Sequence, residues 1–342
     1  LTHFTESQYT YIRGRVRRGQ GLQTDLLLPR VIAGANPGGV GHNWVRRMFV
    51  RSQKPYEVVR ATKEDGGMLR QFIPATLEDN PSLNTKEYEG QLFGLGDPAL
   101  VKAMRFGDWN IVSGGMIDDL WNVTTESKIV LDPFAIPSTW TVNRSFDWGS
   151  SKPFSVGWWA ESNGEEVTMR DGSKRSFYPG SKIRVHEWYG CQKGQSNVGL
   201  KMLARDIAEG IKERESFMKF NVEAGPADAS IFDTVNGMCI ADDMAEVGIS
   251  WTKSDKSPGS RVNGAELIRS RLKASLTHPM EEPGLFTFSH CRDFVDLMPI
   301  MPRDDKRTDD VNTESEDHIW DETRYQILMP NYSGGSGRVA AQ

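Results

Sequence analysis

The 342-residue chain contains no Gly-Lys dipeptide, so the phosphate-cradling loop Gly-x-x-x-x-Gly-Lys-Ser/Thr is absent. No apolar run is long enough to span a bilayer, and no basic-then-apolar opening marks a signal peptide. A soluble, intracellular protein without a membrane partner is therefore expected. Cysteine is scarce. Cys191, Cys239 and Cys291 are odd in number and far apart, which leaves no Cys-x-x-Cys spacing for zinc or a redox pair, and ordinary thiols are expected. An excess of positive charge is also lacking: 41 Lys+Arg against 46 Asp+Glu leave −5, which rules out a uniformly basic nucleic-acid coat while leaving a local groove open. No internal repeat is present.

At this length two domains are expected, each able to bury its own core. The chain opens on Leu1 rather than Met, inside what reads as a working segment, so a fragment of a longer protein is expected. Basic residues cluster at Arg13, Arg15, Arg17 and Arg18, and again at Lys253, Lys256, Arg261, Arg269, Arg271 and Lys273. Either cluster is a solvated helix face or a DNA contact.

The apolar run from Arg30 to Ala35 predicts a buried strand, stopped by Asn36, Pro37, Gly38 and Gly39. Ligands of α/β sheets sit beyond such strand ends, which makes Asn36 either a site residue or a turn asparagine. Periodicity is lost between Arg105 and Val130, where the domain junction is placed. The second half then alternates. Strands are predicted at Trp140–Phe146 and Phe154–Ala160, forming a hairpin, with a third at Lys182–Tyr189. A helix over Val198–Arg214 and a strand over Met218–Glu223 follow, then helices around Ile240–Val247 and Gly264–Leu276, a short strand at Leu285–Phe288 and a last helix at Thr313–Met329. The Ser-Gly-rich tail from Tyr332 to Gln342 is expected to be disordered. This order is that of an α/β layer with a mixed sheet, and it matches a ribonuclease-H-like core.

Three aspartates stand where elements of this fold end. Asp147 follows a strand and precedes Trp148-Gly149, where a glycine would let a phosphate approach. Asp228 follows Gly225-Pro226-Ala227, with Asp233 nearby. Asp321 lies in the densest stretch, Glu316-Asp317-His318-Ile319-Trp320-Asp321-Glu322, where Asp317 and Asp321 are one helical turn apart and His318 reaches the same side. Singly, each aspartate is equally a turn, a cap or a solvated helix start. Together they suit a hard divalent ion, since magnesium takes few carboxylates and leaves positions open for a substrate phosphate.

Taken together, these segments resemble the large terminase subunit of tailed bacteriophages. The residues that carry the resemblance are Arg13-Gly14-Arg15-Val16-Arg17, Ala33-Gly34-Ala35-Asn36-Pro37-Gly38-Gly39 and Arg105-Phe106-Gly107-Asp108-Trp109 in the first half. In the second half they are Phe146-Asp147-Trp148-Gly149, Gly225-Pro226-Ala227-Asp228 and Asp317-His318-Ile319-Trp320-Asp321-Glu322-Thr323-Arg324-Tyr325. The resemblance implies residues 1–125 as the end of a P-loop-type ATPase domain lacking its Walker A and Walker B segments, with Asn36 in the motif coupling hydrolysis to movement. It implies 126–331 as a ribonuclease-H-like nuclease domain and 332–342 as a tail. Asp147, Asp228 and Asp321 would hold two Mg2+ or Mn2+ ions for hydrolysis of double-stranded DNA, with His318 and Asp317 as further ligands or orienting groups. Lys253, Lys256 and Arg261 would track the DNA backbone. Implied partners are portal protein, the small terminase subunit and further copies in a ring, in the host bacterial cytoplasm. ATP hydrolysis is expected only of the full-length protein. Two alternatives stay open: another ribonuclease-H-like nuclease of transposase or resolvase type, or a non-catalytic DNA- or portal-binding packaging module.

Overall fold

The computed structural model describes residues 1–16, 29–37, 41–63, 66–94, 98–109, 115–122, 125–193, 195, 197–234, 237–304 and 306–329. Arg17, Arg18, Gly38, Gly39 and the 332–342 tail lie outside the described residues.

A seven-stranded mixed sheet organises the second half. Three strands form an antiparallel meander: Thr141–Asp147, Ser155–Glu161 and Lys182–Tyr189, with Asp147 opposite Ser155 and Val156 opposite Trp188. The two-residue strand Pro226–Ala227 joins the free side of the first, in parallel, and Thr252–Lys253 joins it in parallel again. Counted in chain order, these five strands lie side by side as 3-2-1-4-5, a ribonuclease-H-like arrangement. On the other side, Leu285–Phe288 and then Val130–Leu131 extend the sheet in parallel.

Every residue of Ser155–Glu161 is buried, because helices cover both faces. On one face the helix Ala204–Ser216 turns Ala204, Ile207, Ala208 and Ile211 inward at helical spacing, and Trp158 Nε1 donates to Glu215 on it at 2.9 Å. On the other lies the helix His318–Leu328, which closes the domain, beside the helix Ser260–Ser275. The closing helix approaches closely at Gly157, where a Cβ would strike the Glu322 carboxylate, the Arg184 guanidinium and the Trp159 indole.

A smaller cluster forms from Tyr9, Trp44, Val45, Met48 and Trp109, with Tyr9 and Trp44 stacked at 4.9 Å. Its helix Glu6–Arg13 starts at Thr5, whose hydroxyl accepts from Gln8 N while Gln8 Oε1 accepts from Thr5 N. Arg51 ties this region to Asp296 and Glu126 of the larger one, and Arg46 donates to the Asp296 carbonyl at 3.1 Å.

Several expectations are corrected. Residues 30–35 form no strand, and Ile32 is 85% exposed, since no described segment pairs with them and a strand without a ladder leaves its backbone groups unpaired. The predicted helix over Val198–Arg214 begins only at Ala204: Lys201 has φ +57 and Leu203 is 70% exposed, so the apolar spacing there does not face the core. Met218–Glu223 forms no strand beyond a single bridge from Glu223 to Asn143. The last helix starts at His318 rather than Thr313, with Asp317 as its cap residue.

Candidate active site

Parallel pairing sets Phe146 opposite Ala227. The next residue after each strand position is therefore an aspartate at the same end of the sheet, and Asp228 N donates to the Phe146 carbonyl at 2.9 Å. The closing helix lies across this end. Its inner face carries His318, Glu322 and Tyr325, spaced at i, i+4 and i+7.

Asp147 is 5% exposed, the most enclosed of the three predicted acids. Its Oδ2 is 3.1 Å from His318 Nδ1, and its Oδ1 accepts from the Tyr325 hydroxyl at 3.2 Å. Burial lifts its proton affinity well above the usual carboxylate range, the His318 contact opposes this, and the charges of Asp321 and Asp228 add to it. Burial alone would lower the His318 pKa, but the hydrogen bond and charge of Asp147 outweigh it and raise it. On its other side, His318 Nε2 meets Asn197 Oδ1 at 3.1 Å, while Asn197 Nδ2 donates to the Ser315 carbonyl at 3.4 Å. The amide oxygen is thus the end that faces the ring, an arrangement that is satisfied when Nε2 carries a hydrogen.

Asp228 caps the short 3-10 turn Ala229–Phe232, its Oδ1 accepting from Ser230 N at 2.9 Å and from Lys256 Nζ. Asp321 accepts from Arg324 Nε at 3.2 Å and stands 3.6 Å from an Arg261 nitrogen. Asp317 is buried rather than solvated, and its carboxyl is pushed up to about 6 by burial and then by the Asp321 charge. The charges of Asp228 and Asp321 thus reach Asp147, yet each of the three is met by a basic side chain. Among the described residues, no group of three or more Asp, Glu, His or Cys side chains stands close enough to hold one metal ion.

Other residues singled out in the sequence fall elsewhere. Asn36 is exposed, its carbonyl accepting from the Thr2 hydroxyl at 2.9 Å. Gly149 serves its own turn, since a Cβ there would strike the Pro153 carbonyl, so its lack of a side chain is used within the protein. Asp233 makes no approach to the acids in any contact described. Of the second basic cluster, Lys253 is exposed and Lys256 and Arg261 reach the acids. Arg269 instead grips Asp119 at 2.7 Å, and Arg271 donates to the Gly180 carbonyl at 2.8 Å. Three contacts went unforeseen: Asn197, Tyr325 and the buried Glu322. Tyr325 and Glu322 were findable, being seven and four residues past His318 on one helical face. Nothing local marks Asn197, which reaches His318 across 121 residues.

Among the described residues, no helix is long and apolar enough to cross a membrane. No family model matches the chain, and no curated protein does. Among solved structures it is similar to the P22 large terminase nuclease domain, at 17% identity and a TM-score of 0.41 over 59% of this chain and 87% of that one. It is also similar to the large terminase of the thermophilic bacteriophage D6E, at 15% identity and a TM-score of 0.44, covering 85% of this chain and 60% of that one. The D6E protein was also solved in complex with ADP and with ATP-γ-S. A third similar structure is the large terminase nuclease of thermophilic phage G20c with bound cobalt, at 10% identity and a TM-score of 0.36 over 62% of this chain. The chain spans about 60% of the length of the D6E terminase. Each of these solved structures is a large terminase or its nuclease domain, the family that the sequence motifs resemble.

Proposed function

We propose that this chain carries a metal-dependent endonuclease that cuts concatemeric double-stranded DNA during viral genome packaging. The observation that supports the reading most is the gathering of Asp147 and Asp228 by strand register, with the charge of Asp321 reaching Asp147 from the closing helix. The donors are carboxylate oxygens from three elements, the ligand type that a hard divalent ion takes, and an ion would have to displace the basic side chains that now meet Asp228 and Asp321. Asp147, Asp228 and Asp321 would hold magnesium or manganese, with Asp317 and His318 as neighbours. Bound divalent ions would supply an activated water and neutralise charge on the scissile phosphate.

The chain's own groups have definable tasks in that reaction. The Tyr325 hydroxyl fixes Asp147 Oδ1, and His318 holds Oδ2. Asn197 and the Ser315 carbonyl keep the imidazole from turning. Arg324, 2% exposed, holds Asp321 in place.

Movement of DNA by ATP hydrolysis belongs, in this proposal, to a longer protein that supplies the phosphate-binding loop, with Asn36 in its coupling segment. Portal protein, the small terminase subunit, ring assembly and the host cytoplasm are proposed on the same ground. The test is to incubate Asp147→Ala and the parent chain with plasmid DNA and Mn2+. Nicking by the parent and its loss in the variant are expected, and cutting at the parent rate by the variant would sink the assignment. A folded parent that neither nicks DNA nor gains thermal stability from Mn2+ would favour a non-catalytic packaging module.

A further inference from the structure

Besides His318 at Asp147, three basic side chains meet the acids, and they are held differently. Arg324 is 2% exposed and lies over the Tyr325 ring at 4.7 Å. Arg261 is pinned by Asp310, its Nε donating to both carboxylate oxygens at 3.1 and 2.9 Å, which keeps it beside Asp321. Lys256 is different. Its side chain is 45% exposed, and its ammonium rests on Asp228 Oδ1 at the rim of the site. An ammonium on a flexible stem is a point charge that can change partners without the geometric demands of a guanidinium.

The backbone around Lys256 keeps it at this rim. Ser254 N donates to the Ala227 carbonyl at 3.0 Å, which ties the loop to the strand that presents Asp228. Asp255 Oδ1 accepts from Ser257 N at 2.8 Å and closes the turn around the lysine. The chain therefore stays beside the acid while the side chain is able to leave it.

A metal-ligating role for Asp228 and its pairing with Lys256 compete for the same oxygen. Resting on the proposed nuclease function, the geometry points to Lys256 as an exchanging residue: it covers Asp228 in the free protein and passes to a DNA phosphate when a divalent ion takes that carboxylate. Two couplings follow from this exchange. The lysine weakens metal binding to the free protein, and DNA, by drawing the lysine away, tightens it. Reciprocity requires the metal to tighten DNA by the same factor.

Calorimetric titration of Mn2+ into the whole chain, with and without a nuclease-resistant phosphorothioate duplex, tests this without relying on cleavage. The duplex should tighten Mn2+ binding to the parent about fivefold, the scale of one part-exposed ion pair. Lys256→Ala, confirmed folded by its thermal melt, should bind Mn2+ without DNA as tightly as the parent does with it. It should gain less from the duplex than the parent does, keeping only what the ion's own contact with the DNA phosphate supplies, and it should bind the duplex more weakly. A Lys256→Ala protein with the parent's metal affinity, or with the parent's full gain from DNA, would overturn the exchange. Asp228→Asn separates this failure from that of the function itself. If Asp228→Asn weakens Mn2+ binding while Lys256→Ala leaves it unchanged, only the exchange falls. If Asp228→Asn binds Mn2+ like the parent, both the exchange and the metal assignment fall.

Discussion

Replacing Glu322 by glutamine should loosen the closing helix from the sheet. Glu322 and Arg184 are both fully buried and form an ion pair across 138 residues of chain. The carboxylate also accepts from the Ser145 and Ser155 hydroxyls and from the Trp159 indole at 2.9 Å. Glutamine keeps the volume and can still accept from the indole, but its amide hydrogens would face the guanidinium and its charge is gone. Removing one partner of a buried pair costs about 3–5 kcal/mol. Arg184 retains Glu187 at 3.5 Å as a second carboxylate, which places the expected loss near the lower end, about 3 kcal/mol. For a domain of roughly 200 residues this lowers the melting temperature by about 6–12 °C. Thermal unfolding followed by tryptophan fluorescence measures it, since Trp159 lies at the pair. The double variant Arg184→Met, Glu322→Met should lose less than Glu322→Gln, because the buried guanidinium leaves with its partner while Glu187 keeps the Asp293 and Phe294 amides. A drop smaller than about 2 °C for Glu322→Gln would refute the argument that this pair is a desolvated tie.

Two further outcomes follow from named contacts. His42 is buried, and its pKa is lowered from 6.5 to about 4, by burial first and by the Arg46 charge second, against its bond to the Trp109 carbonyl. Below pH 6.5 the unfolded chain takes up a proton that the folded chain resists until about pH 4, so this contribution is complete above 6.5 and lost through that window, about 3 kcal/mol in all. Urea unfolding at pH 7.0, ~5.5 and ~4.5 would show it, and a slope unchanged in His42→Gln would count against the assignment. Gly157→Ala places a methyl group against Glu322, Arg184 and Trp159, and it should destabilise by about 2 kcal/mol. A melting temperature equal to the parent's would mean that the helix can lift from the sheet without cost.

The meander was legible in the sequence because its strands are long and apolar. Lys182–Tyr189 and Leu285–Phe288 fall where the pattern puts them, and Thr141–Asp147 is displaced by one residue. The two-residue strands Pro226–Ala227, Thr252–Lys253 and Val130–Leu131 carry no period to detect and exist only through their neighbours in the sheet. The opposite error arose at residues 30–35, where an apolar run has the composition of a strand but no described partner. In the candidate site, residue types and turn positions marked Asp147, Asp228 and the Asp317–Asp321 stretch without deciding any of them, and the family resemblance singled out Asp321. The basic side chains that meet them could not be read, because Lys256 and Arg261 looked like any solvated cluster until the fold brought them to the rim. Arg269 and Arg271, in the same cluster, are used inside the fold, and nothing local distinguishes the two pairs.

The closing helix follows every strand of the sheet along the chain, and Asp147 waits 171 residues for His318. During synthesis from the amino end, a chain that has already paired Phe146 with Ala227 still lacks His318, Asp321 and Tyr325. The groups that orient the first acid and supply the third thus arrive together, on one helix, after the sheet they dock on is available. Under the proposed nuclease function, a nascent chain that lacks this helix would carry two of the three aspartates and little ability to cut.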